Sequence, residues 1–226
     1  MGQSLLRLAA ESPDHWQVVA AVTRRPPGQR VVDGVPYFAA AELGGVPEFD
    51  VAIDFSLPEG FDPVLALCVE RGRALVSGTT GLAAEQRQAL EGASARIPLL
   101  WASNFSVGVA VLNVLVEQAA QALAGWDCDI VESHHVHKKD APSGTALTLG
   151  ESAQRGGAVP RYASLRAGDI VGEHLVQFAG QGERIELVHR ATNRDIFARG
   201  ALQAATRLAA RGAGLYSMRG LLFGDS

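Results

Sequence analysis

Cysteine is scarce: Cys68 and Cys128 are the only two in 226 residues, with neither C-x-x-C spacing nor a His/Cys ligand array around them. That excludes a disulfide framework and leads us to expect unpaired core thiols in a reducing compartment, the cytoplasm. A long basic run is also missing and the formal charge is -4, so nucleic acid is not an expected partner. An anionic small molecule would need a local cationic site, because there is no global positive field to attract it. No stretch reaches the ~18 apolar residues of a membrane span, and "MGQSLLRLAAES" lacks a basic segment followed by a long apolar run. No membrane partner is expected. Internal repeats and low-complexity segments are absent too. What is present is 47% hydrophobic content, ample for a buried core in one larger domain or two small ones.

Through the first hundred residues short β-rich runs alternate with helical patterns. The strands read "QVVAAVT" (17–23), "DVAIDFS" (50–56), "ALVSG" (74–78) and "IPLLWA" (97–102). Their continuous apolar character implies burial on both faces. Helices are expected over 58–72, stopped by Gly72, and over 83–95. This is the rhythm of an α/β, doubly wound parallel sheet. Residues 106–124 then predict a long apolar helix, after which the pattern becomes α+β: strands at 127–135, 161–172, 173–180 and 183–190, and helices from Ser143 and over 195–212. The expected domains are 1–105, joined by the apolar tail 213–226, and 106–212. "RRPPGQ" (24–29) is the clearest surface loop.

Chemistry concentrates in "ESHHVHKKDAPSGTA" (132–146), which holds half of the chain's six histidines. Ser143 suits an N-cap, which would place the amides of Gly144 and Thr145 at the positive end of a helix. With Lys138 and Lys139 just upstream, this resembles a receptor for an anionic substrate that also has proton donors at hand. If the strand continues past Glu132, His134 and Lys138 share one face and His135 and His137 the other. A metal is not expected: His135 and His137 have no third ligand at a recognisable spacing, and the adjacent lysines repel a cation. A second signal is "SGTTG" (77–81), after a strand, and "ASNFSVG" (102–108) follows the next strand. Small residues at strand ends permit close backbone approach, where open α/β sheets bind cofactors. In a dinucleotide fold the residue after the second strand meets the adenosine ribose. Thr23, Arg24 and Arg25 stand there in place of an acidic group, which favours NADPH, although NADH is also possible.

Taken with "DFSLPEG" and "RAGDIVGEH", these motifs resemble those of the dihydrodipicolinate reductase family, and the resemblance runs over almost the whole chain. It implies a Rossmann-like dinucleotide-binding domain followed by a mixed-sheet domain that binds a dicarboxylate substrate and builds a homotetramer. It also implies nicotinamide-dependent reduction of 4-hydroxy-tetrahydrodipicolinate in the diaminopimelate route to lysine. By the same resemblance His134 is the proton donor and Lys138 the second catalytic group, while His135, Gly144 and Thr145 contact substrate. Met1, Gly78, Thr79, Thr80, Ala102, Ser103, Asn104 and Phe105 fall on cofactor positions. The chain departs from the family at Val136, where arginine is common, and at Lys139, where an apolar residue is common.

"MGQS" resembles the end of the family's G-x-x-G-x-M-G fingerprint, so the first strand and most of the phosphate turn are expected to be encoded upstream, in about 15 further residues. Without that central strand its two neighbours would face a gap of roughly 10 Å.

Overall fold

The structure, a computed structural model, describes residues 1–26 and 28–224 and divides into two compact units, Met1–Phe105 with the chain from Phe197, and Ser106–Ile196. The first unit begins with α1 (Gly2–Ala10), β1 (Ala21–Thr23), β2 (Val31–Val32), β3 (Val35–Ala39) and a 3₁₀ turn over Ala40–Gly45. β1 pairs in parallel with β3, and β2 pairs antiparallel to it. The hairpin turns on Asp33 and Gly34, both at positive φ (50° and 80°), the backbone geometry that an Asp-Gly pair supplies most readily.

Next come β4 (Val51–Asp54), α2 (Pro58–Arg71), β5 (Ala74–Ser77), α3 (Ala84–Ser94) and β6 (Pro98–Trp101). Pro58 opens α2 where no amide bond is lost, and Gly72 closes it in the left-handed conformation with φ 64°. All four residues of β5 are buried, as a strand covered on both faces requires. Phe61, Leu65, Cys68, Leu75, Leu90, Ile97 and Leu99 form the core between this sheet and its helices.

The second unit contains α4 (Val107–Ala122), β7 (Asp127–His134), α5 (Gly144–Arg155), β8 (Pro160–Arg166), β9 (Gly172–Gly180) and β10 (Glu183–Ala191). Its sheet has the order β10-β9-β7-β8 and is mixed: β7 runs parallel to β8, while the other pairs are antiparallel. Alternation sends Cys128, Ile130, Val176 and Phe178 to one face, where they pack with Leu112, Val116 and Ala120 of α4 and with Ala146, Leu149 and Ala153 of α5. The expected strand 161–172 is broken. After Arg166 the ladder makes one last rung, Ala167 N–H to the His134 carbonyl (2.9 Å), and Gly168 then turns the chain at φ 49° before β9 starts.

α6 (Asp195–Leu208) corrects the expected boundary at 212. From Phe197 onward it belongs to the first unit, because Ala198 and Leu202 bury their side chains against Leu8 and Ala9 of α1. The chain ends with β11 (Gly214–Tyr216), parallel to β6, and α7 (Met218–Phe223), capped by Ser217. The parallel ladder of the first unit therefore reads β11-β6-β5-β4. Among the described residues no helix is long and apolar enough to cross a membrane.

Candidate active site

In the first unit, β5 and β6 are adjacent parallel strands, so the turns Gly78–Thr80 and Ala102–Phe105 leave the same edge of the sheet. They are tied together there by Ala102 N–H to the Ser77 carbonyl (3.1 Å) and by the Trp101 indole N–H to the Thr79 carbonyl (2.8 Å). The sequence motifs gave no sign that a buried carboxylate organises this edge. Asp54, at the end of β4 and 5% exposed, accepts hydrogen bonds from Ser77 Oγ (3.0 Å), Thr79 Oγ1 (2.7 Å) and Ser56 N (2.8 Å). Thr79 is thus turned inward, while Thr80 and Ser103 are exposed. Gly78 is required by packing, since a Cβ there would lie 2.3 Å from the Phe55 ring, which itself stacks edge-on with buried Phe105. Asn104 is half-buried between exposed Ser103 and Phe105. Arg24 lies exposed just past β1, and Met1 is the N-cap residue of α1.

In the second unit, β7 delivers His134 at its last position, 8% exposed, and the chain then turns away from the sheet. The expected sharing of a strand face by His134 and Lys138 is therefore corrected. A turn closed by Lys138 N–H to the His135 carbonyl (3.1 Å) replaces strand alternation and brings the lysine back, where its charge acts on His134. Its ammonium pairs with Asp140 at 2.8 Å. His135 and His137 face each other with centroids 6.2 Å apart and line a cavity of about 370 Å³ together with Gly168, Asp169, Val171 and Arg194. Val136 and Lys139 point to solvent. Ser143 caps α5 through Oγ, which accepts from Ala146 N (3.2 Å), and so Gly144 and Thr145 form the first turn at the positive end of the helix.

Three groups around His134, namely Glu132, Arg166 and His174, lie within the quoted motifs, which give them no role. Glu132, 1% exposed, accepts from His134 Nδ1, from both terminal nitrogens of Arg166 and from the Ser143 amide. His174 of β9 stands edge-on to His134, its Nε2 3.2 Å from Ser143 Oγ. Burial pushes the Glu132 carboxyl up, but hydrogen bonds from Arg166, Ser164 and His134 outweigh it and hold the group at about 2. His134 is lowered, burial prevailing over the stabilising Glu132 carboxylate. His174 is pushed down to about 4, by burial first and then by the neighbouring His134.

Parallel strands ending in hydroxyl-rich turns, and a separate mixed sheet carrying an imidazole beside a helix start, are the parts of a two-unit α/β reductase. Family models described as "Dihydrodipicolinate reductase, N-terminus" and "Dihydrodipicolinate reductase, C-terminus" match residues 1–105 and 108–222. Proteins named 4-hydroxy-tetrahydrodipicolinate reductase from Stenotrophomonas maltophilia (strain K279a) and Xanthomonas axonopodis pv. citri (strain 306) are 78% and 71% identical over 222 residues, covering 98% of this chain and 93% of theirs. A solved dipicolinate-bound dihydrodipicolinate reductase from Paenisporosarcina sp. TG-14 shares the fold at 21% identity, with TM-score 0.77 over 96% of this chain and 92% of that one. The chain belongs to the dihydrodipicolinate reductase family, whose members are oxidoreductases that bind a pyridine nucleotide.

Proposed function

We propose that the protein reduces 4-hydroxy-tetrahydrodipicolinate to tetrahydrodipicolinate in lysine biosynthesis by the diaminopimelate route, with NADPH as the preferred reductant. The observation that carries this reading is the arrangement at the end of β7: a buried imidazole, the Lys138 ammonium and the positive end of α5 held in one short segment. This is the equipment for holding a carboxylate while delivering a proton.

The residues of the first unit fit a pyridine nucleotide. Exposed hydroxyls at Thr80 and Ser103 follow adjacent parallel strands, and the exposed Arg24 follows β1, where a 2′-phosphate would find a guanidinium. When bound, the nucleotide would supply a hydride; ring C4 can take it once the C4 hydroxyl and a proton of the neighbouring carbon have left as water, because the new double bond is conjugated with the ring imine and hydride addition then leaves an enamine. The chain's own residues supply the rest. Gly144 and Thr145 at the start of α5 receive a carboxylate, His135 contacts the substrate from the loop after β7, and His134 or Lys138 protonates the enamine carbon left by hydride addition. Burial lowers His134, and a bound dianion would raise it again by favouring the charged form.

The face of the mixed sheet turned away from α4 and α5 carries Leu165 and Val188, 56% and 41% exposed. Around them lie the ion pairs Arg161–Asp129, Arg184–Glu186 and Arg190–Glu173, and we assign this mixed apolar and charged face to self-association as a homotetramer. Cys68 and Cys128 are free and buried, and burial pushes both thiols up, to about 12 and about 11, which suits a protein kept in the reducing cytoplasm.

Alanine variants at His134 and Lys138 test the assignment. Each should lower turnover of freshly generated substrate by about 10²-fold or more, the usual scale for losing a positioned acid, with the thermal midpoint little changed. Wild-type turnover in both variants would contradict it.

A further inference from the structure

We infer that Glu132 and Arg166 are positioning residues for His134, fixing its imidazole so that buried Nδ1 keeps its proton and Nε2 is the nitrogen that gives one to substrate. The inference rests on the reading of His134 as the acid. A carboxylate held at about 2 can only accept, so the Nδ1 facing Glu132 must be a donor. The opposite nitrogen is left as the exchanging one. It lies beside Gly172 of β9, where an added Cβ would sit 3.1 Å from Nε2, so the lack of a side chain there keeps that nitrogen accessible.

The carboxylate is itself immobilised. Its Oε2 accepts from His134 Nδ1 and Arg166 Nη1 (3.0 Å), and its Oε1 accepts from Arg166 Nη2 (2.8 Å) and Ser143 N (3.3 Å). Both oxygens are therefore saturated, and one group joins the imidazole to the helix start that would hold the substrate carboxylate. Strand register makes this possible: Arg166 of β8 is the direct neighbour of His134 on β7, and Glu132 lies two residues back on the same face. The Arg166 guanidinium also donates to the Asp140 carbonyl, and the Asp140 side chain pairs with Lys138, so one arginine sets the surroundings of both candidate donors.

The groups facing His134 come from every element around it. Glu132 on β7 favours the imidazolium. Arg166 on β8 and Lys138 in the loop oppose it, Asp140 is paired to that lysine, and His174 on β9 stays neutral with His189 of β10 behind it. Among the described residues Glu132 is the one anion in direct contact, so its removal must lower His134 further. As the acid form is the working one, the falling limb of the kcat/KM profile must then move to lower pH.

The test is a double-mutant cycle of Glu132→Gln and His134→Ala in the full chain, with kcat, KM and pH profiles measured for each protein. Glu132→Gln alone should lower kcat by at least about 10-fold, more than it raises KM, and move the limb to lower pH. In the His134→Ala background the same change should cost less than about 2-fold, because a residue acting through His134 has nothing left to position. Arg166→Lys, which keeps the charge but loses the two-nitrogen fork, should follow the same pattern and serves if Glu132→Gln does not fold. Unchanged kcat and pH profile, or equal losses in both backgrounds, would overturn the inference alone. Wild-type turnover in His134→Ala would overturn the reading of the acid and this inference with it.

Discussion

His174 shows how burial sets what one residue can do. Its ring is 4% exposed, its Nδ1 has no partner and it is pushed down to about 4 from an ordinary 6.5, so the native state keeps it neutral. The sign follows: as pH falls from 6.5 toward 4 the unfolded chain takes up this proton first, and stability is lost across that window. His134 and His189, also lowered, add to the same trend. Thermal midpoints measured between pH 7 and pH 4 should therefore fall. His174→Leu should flatten part of that fall, on the order of 3 kcal/mol of pH-dependent stability at most. An equally steep fall in the variant would show that this ring is not the sensor. Sequence reasoning reached His134 and Lys138 because their types and crowding are local signals. Glu132 was within reach as well, two residues before His134 on one strand face. Arg166 stands at the head of "RAGDIVGEH", but its role was not legible, because its place opposite His134 depends on the register of β7 with β8, a pairing across 32 residues that no local pattern encodes.

At the scale of elements, long runs with one clear period were legible: α2 over Pro58–Arg71 and β4, β5 and β6 lie where the apolar runs and the helix stop indicated. β2 and β3 were missed, although "VVDGVPYF" carries an Asp-Gly turn between apolar pairs, because the proline-rich approach masked the alternation. The break at Ala167–Val171 turns on Gly168, at φ 49°, in a Gly-Asp pair that the expected strand placed in its interior. α6 was assigned to the wrong unit because amphipathicity tells that a helix buries one face, not which partner receives it. The end of β1 carries the cofactor prediction. Arg24 follows Thr23, whose hydroxyl donates to the Arg25 carbonyl (2.6 Å) and shapes the bend. Arg24→Ala should weaken NADPH binding roughly 10-fold more than NADH binding, the scale of one charge-assisted hydrogen bond. Equal losses measured by titration of the two nucleotides would show that Arg24 does not read the 2′-phosphate.

Across the whole molecule the division of labour is chemical. One unit ends its parallel strands in hydroxyl turns braced by buried Asp54, and the other holds His134 and a helix start around buried Glu132, with Lys138 close by. Neither set is sufficient for a reduction that consumes both a hydride and a proton, so activity must depend on substrate and nucleotide together. The most direct measurement is a coupled assay in which dihydrodipicolinate synthase generates the unstable substrate in the cuvette and nicotinamide absorbance is followed. The account predicts rapid NADPH oxidation that needs the purified protein and the synthase product, with slower oxidation of NADH. Nicotinamide oxidation that is independent of the synthase product, or none at all with either nucleotide, would contradict it.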